Sequence, residues 1–138
     1  MVFPATFTRT IARSHRELSA LRSDFHAWLE RLEEAPGPAP VDIDLVVTEL
    51  MANAIDHTAS ETIDLAVTVH PGRARVRVAN DRGSDHPVLT SEWSTSGERG
   101  RGLRLVAAVS SDLRLGGDDR RSVVVAELVA DRQPVGEP

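Results

Sequence analysis

The sequence predicts an α+β protein in which helices lie on one face of a mixed, largely antiparallel sheet. Two kinds of periodicity lead to this fold class. In some stretches apolar residues recur at three- and four-residue steps, as in helices packed against a core. In others they alternate with polar residues, as in strands buried on one face. The order is strand, helix, helix, strand, strand, loop, helix, strand, strand, and a two-layer arrangement is its simplest architecture.

The first half of the chain predicts one strand and two helices. Residues 1–12 form a short extended segment that joins a sheet edge. Residues 14–17 have the form of a capping box at a helix start, and apolar spacing continues that helix until the proline-rich stretch 35–40 ends it. A second helix begins at Pro40 and ends between His57 and Ser60.

The second half predicts four strands, a loop and one further helix. Residues 62–69 and 73–80 alternate and form an antiparallel hairpin. The next stretch, about 82–100, is rich in Gly, Ser, Asp and Pro, and a loop of this length favours a functional lid. Strands at residues 113–115 and 122–128 follow the last helix, and residues 131–138 are predicted to be a disordered tail.

Gly100-Arg101-Gly102 precedes the apolar spacing that starts at Leu103. This arrangement predicts a glycine-flanked turn that leads directly into a helix. Free backbone N–H groups at a helix start, together with the helix dipole, favour an anion such as phosphate. The alternative without a ligand is a loop that needs glycine only for its backbone conformation.

The second helix carries a polar row beside its apolar stripe. Glu49, Asn53 and His57 occupy positions i, i+4 and i+8, which drift by only about 40° per step around a helix. At the edge of a core these groups would be partly desolvated, and such groups need hydrogen-bonding partners. The row therefore indicates either a solvated helix edge or a ligand site.

Composition limits the class of protein. The chain has 138 residues and 15.0 kDa, enough for one domain with one core, which we assign to residues 1–130. A net charge of -5 argues against broad nucleic-acid binding, and the absence of cysteine removes thiolate catalysis and Cys-ligated zinc. No segment resembles a membrane span or a signal peptide, so we expect a cytoplasmic protein.

Four ordered motifs together resemble a known family. They are Glu49-x-x-x-Asn53-Ala54-x-x-His57, Asp81-Arg82-Gly83, Gly100-Arg101-Gly102-Leu103, and Ser122 at the start of a closing strand. They are similar to the N box, the G1 box, the G2 box and the last strand of GHKL (histidine kinase-like) ATPases, and in particular of anti-sigma factor serine kinases. The resemblance implies the two-layer α/β sandwich of the GHKL, or Bergerat, type.

The resemblance also implies roles for individual residues. Asn53 would be the Mg²⁺ ligand, which suits a hard cation, and Glu49 would be the general base. The ATP- or ADP-binding positions would be Asn53, His57, Asn80, Asp81, Gly83, Arg99, Gly100, Arg101, Gly102, Leu103 and Ser122.

The G1 segment departs from the family pattern. The family has Asp-x-Gly-x-Gly, and Asp85 stands where the second glycine is expected. Strand alternation raises a second question, because Val76 and Val78 share a face with Asn80. Either Asn80, or Asp81 if a bulge intervenes, would accept a hydrogen bond from adenine.

The resemblance implies a regulator that sequesters a sigma factor and phosphorylates a serine of a STAS-type anti-sigma antagonist, and it suggests a homodimer. Arg22 on the first helix would then contact the protein partner, although a solvated arginine is the simpler interpretation. Two alternatives remain: a nucleotide-gated binding module without kinase activity, and a domain that binds only protein.

Overall fold

The computed structural model describes residues 3–32, 37–58, 60–81 and 97–130, with backbone alone over 97–101. These residues form five strands and three helices in the predicted order. The elements are β1 (Ala5–Ala12), α1 (His15–Glu30), α2 (Pro40–His57), β2 (Thr62–His70), β3 (Arg73–Asp81), α3 (Gly97–Val109), β4 (Asp112–Gly117) and β5 (Arg121–Val129). The predicted lid is described only from residue 97 onward, and the predicted tail lies outside the described residues.

The strands form one sheet in the order β1-β2-β3-β5-β4. Every described pair of neighbouring strands is antiparallel, so the sheet is more uniform than the mixed sheet that the sequence predicted. The predicted β2–β3 hairpin is confirmed, with Gly72 at φ 78° in its turn. The two-layer α+β fold is therefore confirmed.

The helices cover one face of the sheet, and α2 contacts both α1 and α3 as well as strands β2, β3 and β5. This central position explains why so much of α2 is buried. Its buried residues are Ile43, Val46, Val47, Leu50, Met51, Asn53, Ala54 and Ile55. No helix in the described ranges is both long enough and apolar enough to cross a membrane.

Helix α1 begins where the sequence predicted. Ser14 is its N-cap, and the Ser14 hydroxyl accepts hydrogen bonds from the backbone N–H groups of Arg16 and Glu17. Its buried face joins an aromatic cluster. The centroid of the Phe25 ring lies 5.2 Å from the centroid of the Phe7 ring and 5.8 Å from that of the Trp28 ring. The cluster fixes α1 against β1, since Phe7 belongs to that edge strand.

The start of α3 differs from the prediction. The helix begins at Gly97, so Gly100 and Gly102 lie within it and not in a turn before it. Two glycines cost a helix about 2 kcal/mol relative to alanine, which is why the sequence favoured a later start. Burial of Leu103 and Val106 against the rest of the core outweighs that preference.

Replacing Phe25 by alanine is expected to lower the free energy of unfolding by about 3–5 kcal/mol. Phe25 is 0% exposed and contacts two other rings, so its removal leaves a cavity in the aromatic cluster. Urea denaturation measures the loss. The control is Val41→Ala at a position 72% exposed, where we expect a change within about 0.5 kcal/mol. Equal losses for the two variants would contradict the packing described here.

Candidate functional site

The polar row of α2 lies at the edge of the core, as its spacing predicted. Asn53 is only 5% exposed, whereas Glu49 and His57 are half-buried. Leu50 and Ala54, on either side of Asn53 along the helix, are both buried. The row is therefore most deeply buried at Asn53, with a half-buried polar group one helical turn to each side of it.

Asn53 has an unpaired polar atom. Its side-chain Nδ2 is buried and makes no hydrogen bond in the described part of the chain, and the same holds for Oγ1 of Thr48. Leaving such a group unsatisfied costs about 1–3 kcal/mol. An orphaned amide in this position is what a site that receives its partner from a ligand would contain.

Helix α3 contacts α2 where Gly102 meets Glu49. A Cβ atom at Gly102 would lie 3.1 Å from Glu49 Cδ and would overlap its Oε2. Only glycine fits beside the present carboxylate position. The structure thus brings two predicted site residues, one from each helix, into direct contact.

The Glu49 carboxylate has no ion pair within the described residues.

Leu103, which follows Gly102, is 8% exposed and packs into the core. Leu103, predicted as an ATP-binding position, therefore has a structural role in the core. The side chains of Arg99 and Arg101, and the whole of Gly83, lie outside the described residues.

A second polar group lies where α2 ends and β3 ends. Asn80 Nδ2 donates to Oγ1 of Thr58, at 2.9 Å, and to the carbonyl oxygen of Asp81, at 3.1 Å. The Ser60 hydroxyl accepts from the Asp81 N–H at 3.2 Å. These bonds tie the end of α2 to the end of the sheet. Thr58 and Ser60 were not among the predicted site residues.

Ser122 is directly opposite Asn80 in the β3–β5 ladder. The Ser122 side chain is 2% exposed. Asn80 and Ser122 therefore lie side by side on the face of the sheet that the helices cover. Asp81 pairs with Arg121 and lies on the opposite face, where its side chain is 67% exposed. The structure therefore separates Asp81 from the other predicted positions.

Arg22 lies away from this group of residues. Its Nη2 is 3.3 Å from Oδ2 of Asp44, and the other oxygen of Asp44 contacts His26 at 2.8 Å. The Arg22 side chain remains 40% exposed. It therefore pairs with α2 inside the chain and also presents part of its surface to solvent.

Comparison with known proteins gives one family match. The model of the histidine kinase-like ATPase domain matches residues 11–127. A comparison with curated protein sequences gives no significant match.

Among solved structures, the chain is similar to the crystal structure of the RsbU and RsbW domains of Rv1364c from Mycobacterium tuberculosis. The TM-score is 0.64 at 15% identity, and the match covers 94% of this chain and 33% of that one. At 15% identity this likeness shows the fold alone. The chain spans about a third of the length of the chain that it matches.

Replacing Asn53 by leucine is expected to raise the free energy of unfolding by about 1–3 kcal/mol, because it removes a buried donor that has no partner. Urea denaturation without nucleotide measures the change. The matched control is Asn80→Leu, since the Asn80 amide makes two hydrogen bonds. We expect this control to lose stability. A loss for Asn53→Leu as large as for Asn80→Leu would show that Asn53 is a structural residue.

Proposed function

The chain belongs to the histidine kinase-like ATPase domain family, and we propose that it binds ATP or ADP between α2, α3 and the adjoining ends of β3 and β5. The observation that carries the proposal is the buried Asn53 amide, which has no partner in the described residues. It lies one helical turn from Glu49, which contacts Gly102 of α3. A polar ligand would supply the partner that Asn53 lacks.

A magnesium ion would use the oxygen of the same amide, because the unpaired Nδ2 is a donor and cannot bind a cation. The carboxamide oxygen of Asn53 is a ligand type that a hard cation accepts, together with phosphate oxygens and water. When bound, the ion would neutralise charge on the phosphates. Asn53 would hold the ion, and the phosphates of the nucleotide would supply the negative charge that balances it.

The proposed reaction is transfer of the γ-phosphate to a serine. Glu49 would accept the proton of the serine hydroxyl as the serine oxygen forms its bond to phosphorus, and the bond to ADP would break. Its half-buried carboxylate, free of ion pairs within the described residues, suits this role. Contact with Gly102 limits the positions that the carboxylate occupies.

We further propose that the serine belongs to a STAS-type anti-sigma antagonist and that the domain also sequesters a sigma factor. The support is the motif pattern together with a fold similar to a structure that contains an RsbW domain. Arg22 would contribute to the partner surface, since its side chain is 40% exposed beside Asp44 and His26.

One observation favours a second candidate, a nucleotide-gated binding module that transfers nothing. The last residue of β3 that faces the helices is Asn80, whereas Asp81 of the G1 segment faces the other side of the sheet, so the site departs from the family pattern at this end. Such a module would bind nucleotide and change partners without phosphorylating them.

Calorimetry with ATP and MgCl₂ tests whether the chain binds nucleotide, which both candidates require. Heat of binding and a raised melting temperature would support either nucleotide-binding candidate. Absence of both would refute nucleotide binding and leave a domain that acts only by contacting protein. Transfer of labelled γ-phosphate to a STAS-type protein separates the kinase from the binding module.

Glu49→Ala is expected to reduce phosphotransfer by about 10²–10⁴-fold while ATP affinity stays within a few-fold, because the general base acts mainly on the transfer step. Single-turnover transfer and calorimetry measure the two effects. Glu30→Ala, at an exposed position on α1, is the control and should transfer normally. Normal transfer by Glu49→Ala would exclude Glu49 as the base.

Gly102→Ala is expected to reduce transfer as well, by about tenfold or more, because the added methyl occupies the present position of the Glu49 carboxylate. Melting should change little, since alanine favours a helix and the glutamate side chain can rotate away. Gly116→Ala is the matched control, as a Cβ atom there meets nothing within 4 Å. Equal transfer rates for the two variants would contradict the role assigned to the contact.

A further inference from the structure

The face of the sheet opposite the helices carries a row of three exposed arginines, which we call the arginine row. Arg73, Arg75 and Arg77 occupy alternate positions of β3, the middle strand of the sheet. Val76 and Val78, at the intervening parity, are buried under the helices. Alternate residues of a strand lie about 6.6 Å apart along it. The arginine row therefore forms a line of evenly spaced cationic side chains down the centre of the uncovered face.

Two members of the arginine row have no partner in the described part of the chain. Neither Arg73 nor Arg77 makes an ion pair or a side-chain hydrogen bond there. Arg75 differs, because its Nε and Nη2 both donate to Oε1 of Glu127, at 2.8 Å and 2.6 Å. Two guanidinium groups therefore remain without a counter-charge, in a chain whose net charge is -5.

A groove one strand wide runs beside the arginine row. Its floor is formed by Ala66 and Thr68 of β2, which are half-buried and pair directly with members of the row. Its far side is formed by Thr8 and Thr6 of β1, at the same ladder positions. The space above the floor includes a cavity of about 420 Å³ at Ala66 and one of about 130 Å³ at Thr68. Short side chains between longer ones thus leave room for a ligand along β2.

The charge on this face changes along the groove. Beyond the arginine row, the Arg121 guanidinium donates to Oδ1 of Asp81 at 2.7 Å and to Oδ2 of Asp64 at 2.8 Å. Two carboxylates share one arginine there, whereas Arg73 and Arg77 are unpaired within the described residues. An anionic ligand is therefore attracted to the part of the groove that borders the arginine row, and not to the end near Asp64.

The dimensions of the groove favour an extended ligand over a helix. Neighbouring strands lie about 4.8 Å apart, so the backbones of β1 and β3 are separated by about 9.6 Å across β2. A helix with its side chains is about 10–12 Å wide and exceeds this width. An extended chain is narrower, and its alternate side chains repeat every 6.6 Å or so, as the arginine row does.

We propose that this groove binds an acidic segment of a protein partner, in extended conformation and with carboxylates at alternate positions facing the arginine row. The uncovered face of an antiparallel sheet commonly faces only water. The unpaired Arg73 and Arg77, aligned beside a groove of matching repeat, distinguish this face from such a surface. Carboxylates would form charge-assisted hydrogen bonds with the two guanidinium groups. The interaction is separate from nucleotide binding and does not depend on it.

Fluorescence anisotropy without nucleotide tests the proposal with two labelled peptides of equal composition. One has four Glu-Thr repeats, and the other has four glutamates followed by four threonines. We expect the alternating peptide to bind about fivefold more tightly or better, because only its carboxylates match the spacing of the arginine row. Its affinity should fall when NaCl is raised from about 50 to 300 mM, since exposed charges are screened. Equal affinities, or no binding of either peptide, would overturn the inference.

The double variant Arg73→Ala/Arg77→Ala is expected to bind the alternating peptide about tenfold more weakly or worse, since both charge-assisted contacts are lost. The matched control is Arg16→Ala/Arg31→Ala, which changes the net charge equally at exposed positions of α1 and its C-cap. We expect the control to bind within about twofold of wild type, and melting curves show that both variants fold. Equal losses for the two double variants would overturn the assignment, because they would show attraction without a site.

Charge reversal and a competing polyanion complete the test. Arg73→Glu/Arg77→Glu should prefer a peptide of four Arg-Thr repeats to the one of four Glu-Thr repeats, which reverses the order found for the wild-type protein. An unchanged order would overturn the inference. A thymidine octanucleotide is the competitor. If it displaced the acidic peptide from the wild-type protein at a lower concentration than unlabelled peptide does, the row would be a nucleic-acid site and the proposed protein partner would be wrong.

Discussion

The buried amide of Asn53 is the constraint on which the arrangement of the site depends. It lies on the helix that contacts both other helices and three strands, so no rotation of α2 can expose Asn53 without exposing Leu50 and Met51. The packing that stabilises the core therefore also desolvates the amide. The described residues supply no partner, so the cost of about 1–3 kcal/mol is removed only when a group outside them contacts Nδ2.

The position of the Glu49 carboxylate depends on a missing side chain. At Gly102 the backbone of α3 lies against the Glu49 carboxylate, while Leu103 and Val106 bury apolar surface nearby. A Cβ atom at residue 102 would displace the carboxylate, because it would occupy the same space. The same contact that completes the core thus defines where the proposed general base lies.

Much of this arrangement could be predicted from the sequence, because periodicity reports which face of an element is buried. The spacing of Asn53 on α2 predicted that its amide is partly desolvated, and the structure buries it more fully than that. The alternation in β3 assigned Asn80 to the covered face. The start of α3 was wrong because glycine preference is a local property and packing overrode it. Thr58 and Arg121 were missed because their bonds to Asn80 and Asp81 join positions 22 and 40 residues apart in sequence. Local patterns contain no information on such pairs.

The two ends of the site differ in how their polar groups are satisfied. At the end of β3 the Asn80 amide is already bonded to Thr58 and to the carbonyl oxygen of Asp81. At Asn53 the donor is unsatisfied within the described residues, so a ligand there would remove a cost that the free protein carries. A ligand that contacts both groups would therefore gain more free energy from the contact with Asn53. Because α2 also contacts α1, where Arg22 and His26 share Asp44, a change at Asn53 acts on the helix that supports the proposed partner surface. Coupling between nucleotide and protein partner then requires no long chain of residues, since one helix borders both sites.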